Sequence, residues 1–461
     1  MVLAGGCARR GRRADGAPVA ELWVTTGDQS RLLARAPDLA IHVGAPAASV
    51  VVDVDATVQY QAIVGFGAAL TDASALLINR LTPPRRDTVL RELFGPDPGL
   101  GLSFVRVPMG ASDFSVQHYT YDDIPAGARD TALEHFSIDV DRVDRLPVLR
   151  RALALNPQLA IVASPWSAPA WMKSSGSLIQ GTLRRDAYDA FADYFVRFVQ
   201  AYASAGVPVF AVTVQNEPAF EPADYPGMRL DAAARAELVG HHLGPRFARA
   251  GITTTILDWD HNWDHPEEPL AVLADSAARR YVSGVAWHCY GGDVSAQDTV
   301  RVRHPDKDVY FTECSGGAWA PTFSDNLLWN VRTLIIGTTR TGASGVALWN
   351  LALDERSGPH LGGCGNCRGV LTVDSGSGAV TRNVEYYALA HASRFVRPGA
   401  RRIASSTVVG GLETVAFLNV DASKVLIVLN PSAPTTVAVR DGGRWIEAPI
   451  PGTAVATLRW R

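Results

Sequence analysis

Lysine is nearly missing from this chain: Lys173, Lys307 and Lys424 are the only three among 43 basic residues, and the rest are arginine. That excess, with the many alanines, reads as the coding bias of a GC-rich genome rather than as a functional signal. No basic block stands out beyond the N-terminus, and the formal net charge is −3. A nucleic-acid partner would need a concentrated basic face, so that class of function is excluded. No apolar run reaches the length of a membrane span. No Gly-x-Gly-x-x-Gly follows the first strand-like segment, which removes the main dinucleotide-binding alternative.

Cysteine is also scarce, with five in 461 residues. Cys364 and Cys367 can pair or supply half of a metal site. A zinc site needs four ligands, and no second pair stands at suitable spacing. A loop staple or two plain thiols is therefore the expectation, with no metal and no cofactor. Cys289 and Cys314 end strand-like segments and are expected as small buried residues rather than nucleophiles. Cys7 closes Met-Val-Leu-Ala-Gly-Gly, which resembles the lipobox of a bacterial lipoprotein, although its apolar part is short and Arg9 to Arg13 follow. Residues 1–18 are expected outside the fold. The protein is expected to be secreted or lipid-anchored, or cytoplasmic if the start is complete.

What is present is an ordinary globular composition, 47% hydrophobic, with eight short apolar segments in its middle. They are Ile63–Leu70, Leu102–Gly110, Leu159–Ser167, Val207–Pro218, Thr253–Asn262, Val282–Gly292, Asp308–Gly316 and Gly345–Leu353. Helical patterns lie between them; in Asp186–Tyr202 the residues Ala187, Phe191, Tyr194, Phe195, Phe198 and Tyr202 share one face. Continuous apolar strands alternating with amphipathic helices mean a parallel sheet covered on both sides. Eight such units predict an α/β fold, a (β/α)8 barrel over residues 59–395. Residues 19–58 and 396–461 are strand-like with turns, and are expected to form one side β-sandwich from both chain ends, by default a structural cap.

In such a barrel the reactive groups sit at the C-terminal strand ends. Those ends present Arg106 and Asp113, Trp166, Asn216 and Glu217, Asp260-His261-Asn262, His288 and Tyr290, Glu313, then Trp349 and Asn350. Aromatic rings beside hydrogen-bonding groups suit a sugar, whose apolar face stacks while its hydroxyls need partners. Glu217 and Glu313 each close a buried strand and lie 96 residues apart, three barrel units. Strands four and seven end across the mouth from one another. Two opposed carboxyls about 5–5.5 Å apart are what glycoside hydrolysis with retention requires.

The motifs Gly65-Phe-Gly67, Thr71-Asp72, Arg106-Val-Pro-Met-Gly-Ala-Ser-Asp113, Ser164-Pro-Trp166, Gln215-Asn216-Glu217-Pro218, Trp287-His288-Cys-Tyr290, Thr312-Glu313-Cys314 and Leu348-Trp349-Asn350 occur in this order. Together they resemble glycoside hydrolase family 30, whose members include glucosylceramidases. The resemblance implies Glu217 as acid/base and Glu313 as nucleophile, with Arg106 and Tyr290 keeping Glu313 ionised. It implies Asn216 on the sugar's 2-hydroxyl, Asp113 and Trp166 on the outer hydroxyls, and Trp349 as a stacking wall. His288 is expected as a satisfied polar residue at the substrate site rather than a proton carrier. The implied substrate is a β-glucoside or glucan, with a glycolipid among the options. Endo-β-1,6-glucanase, β-xylosidase and a non-catalytic sugar-binding protein are the alternatives. The loop Pro359–Arg368 looks like that of bacterial and fungal members, so substrate preference is the least transferable part.

Overall fold

The computed structural model of the protein describes residues 18–44 and 46–461; the lipobox-like stretch with Cys7 lies outside them. Eight parallel strands form one sheet: β1 (Gly65–Ala68), β2 (Phe104–Met109), β3 (Ala160–Pro165), β4 (Ala211–Thr213), β5 (Thr255–Asn262), β6 (Val282–His288), β7 (Asp308–Glu313) and β8 (Ala343–Leu348). Each neighbours the next, β8 pairs with β1, and a parallel bridge between Ala69 and Arg106 closes β1 onto β2. The (β/α)8 barrel expected from the spacing is thus the observed fold. The stripe read around Asp186–Tyr202 is the buried face of helix Tyr188–Ser204.

The barrel interior is layered, because side chains alternate along a strand. Phe104, Val162, Ala211, Leu257, Ala286, Tyr310 and Ala347 form an apolar plug. Two residues further along the same strands stand Arg106, Ser164, Thr213 and Thr312, all fully buried. The plug thereby carries a polar layer directly above it, at the mouth. Strand β5 reaches this layer differently. Its pairing with β6 shifts register between Ala286 and Trp287, and Trp259 and Asp260 both have positive φ, 74° and 55°. That irregularity turns Asp260 inward where strict alternation from Leu257 would have turned Trp259 inward.

The side domain is a single eleven-stranded sheet wrapped around its own core, with Leu22, Val24, Leu426, Val428 and Leu458 inside. Both chain ends enter it. Val19–Thr26 runs antiparallel to Ala454–Trp460, with Glu21 opposite Arg459 and Thr26 opposite Ala454. One buried histidine ties this pair of strands to the barrel. His391, on helix Val384–Ser393, meets Thr457 Oγ1 through Nδ1 at 2.8 Å and Thr25 Oγ1 through Nε2 at 2.9 Å.

Burial pushes His391 down to about 3, so the fold keeps it neutral while the unfolded chain protonates it near pH 6.5. The stability this neutral ring contributes is full above that pH and is lost as pH falls toward 3. His391→Leu is expected to lower stability by about 1–3 kcal/mol and to flatten the fall in Tm between neutral and acid pH. A variant with the wild-type Tm and the wild-type acid slope would contradict the assignment.

Candidate active site

The eight strand ends deliver their polar residues to one point. Arg106, fully buried in β2, is its centre. Its Nη1 donates to Glu313 Oε2 at 2.5 Å, and its Nη2 donates to Asp260 Oδ2 at 2.6 Å and Asn216 Oδ1 at 2.7 Å. Asp260, equally buried, also accepts from Ser164 Oγ (2.6 Å), Thr213 Oγ1 (2.7 Å) and Thr312 Oγ1 (2.6 Å). Burial alone would raise the Asp260 pKa. The Arg106 charge, then His288 and Ser164, reverse this and hold it well below the carboxylate range.

Above this layer stand the two glutamates. An oxygen of Glu217, an oxygen of Glu313 and a ring nitrogen of His288 lie within 4.8 Å of one another. This separation matches the close pair of a retaining glycosidase and not the roughly 6.5–9.5 Å of an inverting one. Glu313 receives Arg106 on one oxygen and the Tyr290 hydroxyl on the other, at 2.9 Å. Glu217 meets His288 Nδ1 at 3.1 Å, and His288 Nε2 meets Asp260 Oδ1 at 3.1 Å. Among the described residues Glu217, His288 and Glu313 are the one group of such side chains close enough to hold a metal ion. Both ring nitrogens of His288 already face carboxylates, and Arg106 supplies the positive charge beside Glu313.

The charges divide the pair. Burial pushes Glu313 above the usual carboxylate range, and the Glu217 and Asp260 charges add to this, against His288 and Arg106. Burial acts on Glu217 too, but the hydrogen bond and charge of His288, with His261 and Arg106, bring it below its ordinary value. Burial would lower His288; the surrounding Glu313, Asp260 and Glu217 instead push it up to about 9. At neutral pH one proton therefore sits in the His288–Glu217 hydrogen bond. His261, 3.9 Å from Glu217, is held neutral by burial at about 4.

The remaining sequence candidates surround this core. Trp166 and Trp349 stack at 5.3 Å and 21°, and Phe114 packs edge-on to Trp349 at 6.0 Å. Asp113 is buried beside them, pushed up to about 8 by burial and by the Glu313 and Glu217 charges. The loop 359–368 closes over it: Leu361 N donates to Asp113 O at 2.8 Å, and a side chain on Gly363 would strike Asp113. All nine predicted site residues thus converge. Arg106 and His288 are fully buried, and both contact the site's carboxylates.

Three further features were missed or misjudged from sequence. Asp260 was noted at its strand end but not counted in the site; its acidic character inside an apolar strand was the available signal. Backbone strain gathers at the mouth, where Glu217 and Asn350 hold φ of 45° and 38° in addition to β5. Cys289 and Cys314, expected as small buried residues, are joined in a disulfide with Cα atoms 5.4 Å apart. His288 lies opposite Glu313 in the β6–β7 ladder, so the next residue on each strand falls within bridging distance. Cys364 and Cys367 are also paired, as a loop staple.

Fold and site together define a barrel glycoside hydrolase with the carboxylate spacing of a retaining mechanism. Residues 63–396 match the glycosyl hydrolase family 30 TIM-barrel domain and residues 399–458 the family 30 beta sandwich domain, and the chain belongs to that family. It is 35% identical to the endo-1,6-beta-D-glucanase neg1 of Aspergillus fumigatus, over 86% of this chain and 84% of that protein. It is 31% identical to the lysosomal acid glucosylceramidase of Mus musculus, over 87% and 82%. The solved structure of the endo-beta1,6-glucanase BT3312 superposes with a TM-score of 0.88 at 31% identity, covering 96% of this chain and 99% of that one.

Removing the Asp260 charge leaves Arg106 and His288 buried with one carboxylate fewer. Asp260→Asn is expected to lose about 3–5 kcal/mol of stability and to shift the alkaline limb of the activity profile downward, as His288 gives up its proton more easily. A variant with unchanged Tm and unchanged alkaline limb would refute the hub role.

Proposed function

We propose that this family 30 hydrolase cleaves β-glucosidic bonds by double displacement. The observation that carries the reading is the pair of glutamates within 4.8 Å, one facing two donors and the other facing a charged histidine. Glu313, its oxygens oriented by Arg106 and Tyr290, attacks the anomeric carbon. Glu217, drawing on the proton it shares with His288, protonates the departing glycosidic oxygen. Water then attacks the glycosyl-enzyme from the vacated side, Glu217 takes its proton, and Glu313 is released with net retention. Asn216 gives its carbonyl oxygen to Arg106, leaving its NH2 to donate to the 2-hydroxyl. Asp113 and Trp166 hold the outer hydroxyls, and Trp349 backs Trp166 as the apolar wall.

The substrate class is a β-glucoside. Glucosylceramide-like glycolipids are one form of it, supported by the identity with the mouse glucosylceramidase. An endo-β-1,6-glucan is the second reading, favoured by the higher identity with the Aspergillus enzyme and by the near-complete structural overlap with BT3312. Two disulfides in the catalytic domain support an exported protein, since the cytosol keeps such thiols reduced.

Glu313→Ala is expected to abolish turnover. Glu217→Ala should lose about 10²–10⁴-fold on alkyl β-glucosides and far less on dinitrophenyl β-glucoside, whose leaving group needs no proton; equal losses on both would contradict the acid role. Protonation of Glu313 removes the nucleophile as pH falls, and loss of the shared proton removes the acid as pH rises. The kcat/KM profile should therefore be bell-shaped, with an alkaline limb near the His288 value of about 9. A profile still rising past that limb would overturn the proton assignment.

A further inference from the structure

Beside the glutamates, on the far side of Tyr290, the surface opens into a cavity of about 650 Å3. Its floor is the Cys289–Cys314 disulfide and its walls carry Tyr290, Trp319 and Trp329, with Ser315 and Asp325 among them. Trp319 is 55% exposed and Trp329 42% exposed. Two large aromatic rings left open in one concavity mark a ligand surface more than a packing accident.

The Trp319 ring is built in, not loosely attached. It lies on Gly317, where a Cβ would come within 2.0 Å of it. Gly316–Gly317 pairs antiparallel with Cys367–Arg368, and Ala318 N donates to Asn366 O at 2.9 Å. The partner strand is itself fixed by the Cys364–Cys367 staple and by the Arg368–Glu385 ion pair at 2.7 Å. A rigid ring costs little ordering entropy when a ligand stacks on it.

The cavity adjoins the catalytic pair through two of its lining residues. Tyr290, one wall, donates its hydroxyl to Glu313, and Cys314, in the floor, follows Glu313 directly. We propose that this cavity is a leaving-group-side subsite that takes a second glycosyl unit of a β-glucan, stacked on Trp319. The proposal rests on the β-glucosidase reading above and names its substrate. Aromatic faces set among acceptors such as Asp325 suit a sugar, with one apolar face and a rim of hydroxyls.

The test compares Trp319→Ala and Gly317→Ala, the second displacing the ring without deleting it. Both are assayed on 4-nitrophenyl β-glucoside, on β-1,6-linked gluco-oligosaccharides of two to five units, and on a short-chain glucosylceramide in detergent. The expected result is a fall in kcat/KM on the oligosaccharides about tenfold larger than the fall on the aryl glucoside, the size of a lost stacking contact. Equal losses on both, or a selective loss on the glucosylceramide, would overturn the proposal. If the wild-type enzyme leaves the aryl β-glucoside intact, the β-glucosidase reading is what fails. The subsite is then judged by tryptophan fluorescence of the Glu313→Ala protein with the four-unit oligosaccharide. Quenching that disappears with Trp319→Ala sustains it, and quenching that survives overturns it.

Discussion

A guanidinium with no exposure to water has to be answered by negative charge, and Arg106 is answered twice, by Asp260 below and Glu313 above. Coulomb attraction in a dry interior is strong, but so is the cost of drying the three groups, and the balance requires most donors to find acceptors; of the Arg106 nitrogens only Nε has none. That condition explains the composition of the polar layer. Ser164, Thr213 and Thr312 all turn hydroxyls onto Asp260, and Asn216 turns its oxygen onto Arg106. The layer sits on an apolar plug that cannot rearrange to relieve it. The position of Glu313 is therefore set by the barrel's own packing.

The second consequence is the ownership of protons. Three carboxylates crowd around two cations, Arg106 and His288. The arginine keeps its proton at any working pH, so the histidine is the group whose charge adjusts. His288 is hydrogen-bonded to carboxylates on both nitrogens, and these carboxylates, with Glu313, favour its protonated form. The arrangement separates the glutamates without isolating them: Arg106 and Tyr290 donate to Glu313 against a burial that raises its pKa, while Glu217 has a proton held one hydrogen bond away. The cost appears as backbone strain at Glu217, Asp260 and Asn350, which the closed barrel is rigid enough to hold.

Much of this was legible in the sequence, and the reason is periodicity. Eight apolar segments with helices between them specify a barrel, and a barrel says where its strand ends point. Glu217 and Glu313 could be paired because strands four and seven end opposite each other. Asp260 could not be placed the same way. Its inward direction comes from a register shift in β5, and period-2 alternation counts it as outward. The Cys289–Cys314 pairing was hidden for a related reason: sequence separation says nothing about which residues follow the last rung of a ladder. Trp319 gave no signal as a ligand surface, because only the glycine beneath it and the strand pairing beside it distinguish a presented ring from a buried one.

The central claim is that the carboxylate held by Arg106 is the one that bonds to the sugar. A 2-deoxy-2-fluoro β-glucoside with an activated leaving group slows release of the glycosyl-enzyme, and peptide mass spectrometry locates the adduct. The account predicts one fluoroglucosyl group per chain, on Glu313. A label on Glu217, or complete turnover to a product whose first-formed anomer is inverted, would contradict it.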